Sequence, residues 1–286
     1  MKCSQYDYAV IGGDMRQVYL AEQLALLPGR IIYYALEKTP DRCTKATSLE
    51  NAIRSCDCVI GPIPLCQNGS FLKQTVSEND FTLDFILNIM KPGQTFYAGC
   101  IPESFLKGAK EKGIYAYDLM QNNTLAIYNT LATAEGAICE AILRSPRNLH
   151  HSKCAVLGYG RCGRTLTKYL RGMSCHVSVY STEEEERCWA DIVADYALPL
   201  DDFGERGNEF DFIFNTIPAL VLTDKQLRKL KSSVTIIDIA SAPGGIDYEA
   251  AARLGVNASL CLALPGKYSP ESCATAIKKI ITMNKI

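Results

Sequence analysis

Charge of a single sign is absent from this chain: 30 Lys and Arg face 31 Asp and Glu, for a formal net charge of −1. Without a basic excess there is no electrostatic footprint for nucleic acid, so a polyanion is not the expected partner. Paired cysteine spacing is absent as well. The 13 cysteines are odd in number, none forms a C-x-x-C, and Cys56 with Cys58 is too tight for zinc-ligand spacing. They read as reduced thiols used as small apolar side chains, and no metal is expected. No uncharged run approaches the roughly 20 residues of a membrane span, and Met1 to Asp7 holds no apolar signal core. The expectation is a cytoplasmic protein without a membrane partner. No internal repeat shows, and the acidic run Glu183 to Glu186 reads as a solvated helix start.

Against these absences stands a regular alternation of short β-rich runs and amphipathic stretches. Strands are predicted at Tyr6 to Ile11, Arg30 to Ala35, Asp57 to Ile60, Thr95 to Ala98 and Ile114 to Tyr117. Helices are predicted at Met15 to Leu27, Phe81 to Met90 and Pro102 to Lys112. A long helix follows from Asn122 to Leu143, opened by the polar Gln121 to Thr124 cluster. The alternation restarts at Lys153 and runs through strands at Cys154 to Leu157, His176 to Tyr180, Asp211 to Asn215, Val234 to Ile239 and Val256 to Leu260. Such alternation implies parallel sheets covered on both faces. The expected architecture is α/β with two doubly wound parallel-sheet domains. The first, flavodoxin-like, spans residues 1–121, a linking helix 122–147, the second domain 148–262, and 263–286 returns toward the first.

One turn carries a specific chemistry. Gly158-Tyr159-Gly160-Arg161-Cys162-Gly163 follows a predicted strand and opens a predicted helix, the context in which G-x-G-x-x-G cradles a pyrophosphate at a helix N-terminus. The second domain is therefore read as a Rossmann NAD(P)-binding domain, with Gly158, Gly160, Arg161, Cys162 and Gly163 at the cofactor. At the end of its second strand, where an acid usually takes the ribose hydroxyls of NAD, stand Ser181 and Thr182. That favours NADP, with NAD still open. An earlier turn, Gly12-Gly13-Asp14-Met15-Arg16, lacks the third glycine and carries an acid that opposes phosphate. It reads as a substrate or interface loop, with Arg16 the residue able to grip a carboxylate. Histidine is scarce: His150, His151 and His176 are the only three, and none lies between Asn215 and Gly266, where hydroxy-acid dehydrogenases of this architecture place their acid–base imidazole.

Several segments together resemble the family formed by the A subunit of dipicolinate synthase. They are Ile11-Gly12-Gly13-Asp14 with Arg16-Gln17; Ile127-Tyr128-Asn129-Thr130 with Thr133 to Gly136; the Gly158 to Gly163 turn; Asn215-Thr216-Ile217-Pro218-Ala219; Asp238 to Ser241 with Pro243 to Gly245; and Leu264 to Lys267 with Pro270. The resemblance implies an NADP-dependent oxidoreductase that converts dihydrodipicolinate, or its hydroxylated precursor, to dipicolinate in the mother cell of a sporulating bacterium. It implies, as partner, the flavoprotein-like B subunit of dipicolinate synthase, and an oligomeric assembly is expected. It adds Asn215, Thr216, Ile217 and Pro218 to the cofactor set. It also implies a substrate set of Arg16, Asn129, Thr130, Ser241 and Lys267, with Lys267, Asn129 and Thr130 bearing on the reacting ring. Two positions expected to be basic are Ala242 and Glu271. Aromatisation drives the reaction, so a weak base suffices, and alignment of the ring with the nicotinamide in a cleft between the domains is the main demand. Another small-acid dehydrogenase and a non-catalytic nucleotide sensor are the alternatives.

Overall fold

The computed structural model describes residues 5–67, 69–76 and 81–283, which form two compact units, 1–128 with 269–286, and 129–268. The first boundary falls inside the long helix rather than before it.

In the first unit the elements run β1 (Tyr6–Ile11), α1 (Met15–Ala25), β2 (Ile31–Tyr34), β3 (Thr44–Lys45), α2 (Leu49–Arg54), β4 (Cys56–Ile60), β5 (Cys66–Gln67), β6 (Phe71–Leu72), α3 (Leu83–Ile89), β7 (Thr95–Ala98), α4 (Glu103–Glu111) and β8 (Tyr115–Asp118). All neighbours in the main sheet are parallel, in the order β3-β2-β1-β4-β7-β8. Its five longer strands keep the flavodoxin-like order, and the two-residue β3 extends the β2 edge. Alternate residues of β1 feed opposite faces: Ala9 and Ile11 join Leu49, Ile86 and Phe105 from α2, α3 and α4, while Tyr8 and Val10 join Val18 and Leu24 of α1. Each fully buried Leu, Ile or Phe in such a face contributes about 1.5–3 kcal/mol. Asp14 caps α1 through the Arg16 amide at 3.1 Å, Ser48 caps α2 and Thr82 caps α3, which places each helix start where the sequence puts a short polar side chain.

Helix α5 (Asn123–Arg144) leads into the second unit, with β9 (Lys153–Leu157), α6 (Arg161–Gly172), β10 (His176–Ser181), α7 (Glu184–Asp191), β11 (Tyr196–Pro199), α8 (Phe203–Arg206), β12 (Phe212–Asn215), α9 (Asp224–Leu227), β13 (Thr235–Asp238), α10 (Tyr248–Leu254), β14 (Asn257–Leu260) and α11 (Leu264–Tyr268). The sheet order is β11-β10-β9-β12-β13-β14, the dinucleotide-fold order, again all parallel. Cys154 and Val156 face α5 and α6 through Ala137, Ala141, Leu166 and Leu170, and Ala155 and Leu157 face the other side with Phe203 and Leu227. The last helix, α12 (Pro270–Met283), belongs to the first unit, where Ala274, Ile277 and Ile281 bury against the α1 face.

The predicted strands and the long helix fall within a residue or two of the observed ones, and α6 begins at Arg161, inside the glycine turn rather than after it. The segments that escaped the reading are short: β3, α2, the β5–β6 hairpin, β11 and helices α8, α9, α10 and α11. Among the described residues no helix is long and apolar enough to cross a membrane, no group of three or more His, Cys, Asp or Glu gathers as a metal site, and the cysteines are free thiols.

Candidate cofactor and substrate sites

The carboxyl ends of β9 and β12 flank the point where the second sheet reverses its strand order, the position at which open α/β sheets take their ligands. Both are followed by the predicted cofactor residues. Gly158 holds φ +88°, and a Cβ there would lie 2.5 Å from Thr216 Oγ1. Gly163 is tighter: a Cβ would come within 2.2 Å of the Gly158 carbonyl oxygen. A Cβ on Gly160 meets nothing within 4 Å, and Gly160 caps α6 with no side-chain bond to the helix amides. The turn thus has two glycines spent on its own packing and one opening an uncovered face at a helix N-terminus. These residues fit the pyrophosphate of a nicotinamide dinucleotide. Arg161 opens α6 and is exposed, and Cys162 is half-buried, its thiol pushed up by burial despite the Arg161 charge, so it is not a thiolate nucleophile.

Asn215 and Thr216 lie beneath this turn and build it. Asn215, with no exposed surface, donates to Ile217 O at 3.0 Å and to Asp238 Oδ1 at 2.9 Å, and accepts from the Ile217 amide at 3.1 Å. Thr216 donates to Leu157 O at 3.0 Å, while Pro218 is exposed. Ser241 is exposed in the loop after β13, where its carbonyl accepts from the Gly244 amide; Ala242 precedes a cis proline in the same loop.

At the end of β10 the expected absence of an acid does not hold in three dimensions. Glu186, in the first turn of α7, is half-buried and accepts from Ser181 Oγ at 2.5 Å and from the Tyr159 amide at 3.2 Å. Arg187 donates to Ser181 O at 2.9 Å and Thr182 O at 2.7 Å. The other three acids of the run are exposed, as a solvated helix start requires.

Thr130 and Lys267 are already engaged within the second unit. The Thr130 hydroxyl, 3% exposed, meets Thr165 Oγ1 of α6 at 2.7 Å. Lys267 donates to Glu140 Oε1 at 2.5 Å, Tyr268 Oη donates to the same oxygen at 2.6 Å, and Arg144 reaches Glu140 Oε2 at 2.7 Å. Glu140 is 3% exposed. Its burial raises the carboxyl pKa, and the bonds from Lys267 and Tyr268 with the Arg144 charge more than reverse this, so it stays low. The bond to Glu140 in turn raises Lys267, which moves it away from duty as a base. Asn129 is half-buried, its carbonyl accepting from Thr133 Oγ1. Glu271 lies exposed in the first turn of α12.

In the first unit Arg16 occupies the equivalent switch point, between the loops after β1 and β4. It is 6% exposed, forks onto Asp14 through Nε at 2.8 Å and Nη2 at 2.7 Å, and donates from Nη2 to Ile63 O at 2.5 Å. Asp14 therefore has a partner, and burial, which raises its carboxyl, is outweighed by Arg16. Lys73, missed by the sequence reading, lies half-buried beside it. Its carbonyl accepts from the Gly13 amide at 2.8 Å, and its ammonium pKa is lowered by burial and then by the Arg16 charge. Lys73 thus adds a second cation near the Arg16–Asp14 ion pair, and the group as a whole carries net positive charge, the sign that attracts a carboxylate. The loop that carries Lys73 has no periodicity in the sequence, and its link to the glycine pair exists only through the backbone bond to Gly13.

The family models agree with this division. Residues 7–120 match the N-terminal domain of the dipicolinate synthase A subunit, and residues 124–251 match the NAD binding domain of D-isomer specific 2-hydroxyacid dehydrogenases. The A subunit of dipicolinate synthase from Bacillus subtilis (strain 168) is 26% identical over 281 residues, covering 96% of this chain and 94% of that protein. The crystal structure of the dipicolinate synthase A subunit from Bacillus halodurans superposes with a TM-score of 0.87 at 25% identity, over 98% of this chain and 97% of that one. A transhydrogenase from Sinorhizobium meliloti shares the fold at 13% identity, with a TM-score of 0.70 over 96% of this chain and 92% of its own. Across both units the chain thus resembles the A subunit of dipicolinate synthase, and its second unit is a nicotinamide-dinucleotide-binding domain of the dehydrogenase type.

Proposed function

We propose that the chain is an oxidoreductase that converts dihydrodipicolinate, or its hydroxylated precursor, to dipicolinate in sporulation, working with a flavoprotein-like second subunit in the mother cell. The observation that carries the reading is the glycine turn, with Gly158 and Gly163 fixed by close contact and Gly160 open at the start of α6. When bound there, a nicotinamide dinucleotide supplies the hydride acceptor. The rest of the work falls to the chain's own groups. Arg16 and Lys73 offer the substrate's carboxylates a paired cationic hold in the first unit, which offsets a desolvation cost of several kcal/mol per buried charge. Asn129 and Ser241 are retained as donors to the substrate. Thr130 positions α6 through Thr165, and Lys267, held protonated by Glu140, fixes α11 on α5 rather than drawing a ring proton. Loss of a hydride and a proton from dihydrodipicolinate makes an aromatic ring, and the hydroxylated precursor reaches the same product by losing one water as well, so water or a weak base takes the proton and no histidine is required.

Ser181 and Thr182 favour NADP in the sequence, but Glu186 puts a carboxylate at the same strand end, which turns the balance toward NAD. The test is a spectral one. Purified protein, with and without its second subunit, is supplied with each substrate and either nicotinamide cofactor, and the ultraviolet spectrum is followed. Growth of the pyridine-2,6-dicarboxylate chromophore together with reduced nicotinamide is expected. Reduced nicotinamide without that chromophore indicates another dehydrogenase, and neither signal indicates a sensor.

A further inference from the structure

We infer that Glu186 reads the 2′ position of the cofactor's adenosine ribose and selects against a 2′-phosphate. The inference rests on the dinucleotide reading of the second unit and adds to it a residue outside the strand-end motif. In this fold the ribose hydroxyls are taken at the end of the second strand, beside the glycine turn. Here that strand is β10, and it ends in Ser181 with no acid of its own.

The acid arrives from α7. A single oxygen, Glu186 Oε2, accepts from the Ser181 hydroxyl at 2.5 Å and from the Tyr159 amide at 3.2 Å, so the carboxylate bridges the end of β10 and the middle of the Gly158 to Gly160 turn. Its other oxygen is left to accept from a ribose hydroxyl. The position is built rather than incidental. Arg187 clamps the carbonyls of Ser181 and Thr182, and the Glu183 amide donates to Ser181 Oγ at 3.2 Å, which together tie the first turn of α7 to the strand end. Glu183, Glu184 and Glu185 are exposed, so only the fourth acid of the run is turned inward. The cation in this group, Arg187, spends Nη1 on the two carbonyls. A dianionic 2′-phosphate meets a fixed carboxylate at close range, and juxtaposed like charges repel.

The test is calorimetric titration of NADH and NADPH into the full chain, which reads binding and requires no turnover. Wild type is expected to bind NADH about tenfold or more tightly than NADPH. Glu186→Gln, which keeps a side chain able to accept from Tyr159 and loses the charge, is expected to shrink that ratio by about tenfold or more. Glu184→Gln, removing an equal charge from an exposed neighbour, is expected to leave it unchanged. Tighter binding of NADPH by wild type, an unchanged ratio in Glu186→Gln, or an equal shift in Glu184→Gln overturns the role of Glu186 while leaving the dinucleotide site standing. Failure of wild type to bind either nucleotide overturns the site itself.

Discussion

Asn215 and Asp238 are register partners at the carboxyl ends of β12 and β13, and the amide of the first donates to Oδ1 of the second at 2.9 Å with both side chains fully buried. Asp238 also accepts from the amides of Ala240 at 3.0 Å and Gly245 at 2.7 Å and from Tyr248 Oη at 2.8 Å. One carboxylate therefore anchors the β12 loop that underlies the glycine turn and the loop that carries Ser241. Burial, followed by the bond to Asp238, pushes the Tyr248 hydroxyl well above the ordinary tyrosine range, so it remains a donor. Asp238→Ala strands several buried donors at about 1–3 kcal/mol each. A loss of at least about 3 kcal/mol in urea denaturation is expected, against about 1 kcal/mol for Tyr248→Phe.

Substitutions within the glycine turn separate folding from binding. Gly163→Ala drives a methyl into the Gly158 carbonyl and is expected to lower stability by about 1–3 kcal/mol or prevent folding. Gly160→Val extends into open space and is expected to retain the wild-type melting temperature while losing nicotinamide dinucleotide affinity by calorimetry. Undiminished affinity in folded Gly160→Val removes the pyrophosphate from this turn.

Arg16 and Lys73 are expected to act on dicarboxylate binding alone. Lys73→Met and Arg16→Ala each raise the dissociation constant for pyridine-2,6-dicarboxylate about tenfold or more, with dinucleotide affinity unchanged. Because burial and Arg16 lower the Lys73 pKa, its charge is lost on alkalinisation before that of an ordinary lysine, and dicarboxylate binding should weaken below pH 10.5 in wild type. A pH profile of binding that is identical in Lys73→Met speaks against contact with the ligand.

Glu140 gives stability an acid limb. Burial raises its pKa, but Lys267, Tyr268 and Arg144 bring the folded-state value below the ordinary 4.5, so its contribution is present above that pH and is lost as pH falls through the lowered value. Thermal melts of Glu140→Gln should be less stable than wild type at neutral pH, with the difference narrowing below about pH 4.5. A constant difference down to pH 2 excludes this linkage.

The alternation, both sheets and the glycine turn were legible because each is written locally, in periods of two and 3.6 residues or in contiguous glycines. The groups that were not legible depend on partners far along the chain. Glu140 sits mid-helix and acquires meaning from Lys267 and Tyr268, over 120 residues away. Lys73 lies in an irregular stretch whose course is fixed by a backbone bond to Gly13. Glu186 is hidden by composition: four consecutive acids look like one solvated face, and only the direction of the helix singles out the fourth. The reading of Lys267 as a residue at the ring did not include its bond to the buried Glu140 carboxylate of α5.

With β3 counted, the two main sheets have the same strand order, and in each the first strand ends in a glycine turn at the reversal point. The segment after β1 and the segment after β9 are thus topological equivalents that have diverged in chemistry. After β1 the acid stands in the turn itself and is neutralised by the arginine two residues on; after β9 the turn has no acid of its own, the carboxylate that meets it comes from α7, and α6 starts without a side-chain cap. A scaffold built this way can exchange affinity for one class of anion for affinity for another by altering a single connection, while its sheet and the layers that cover it stay as they were.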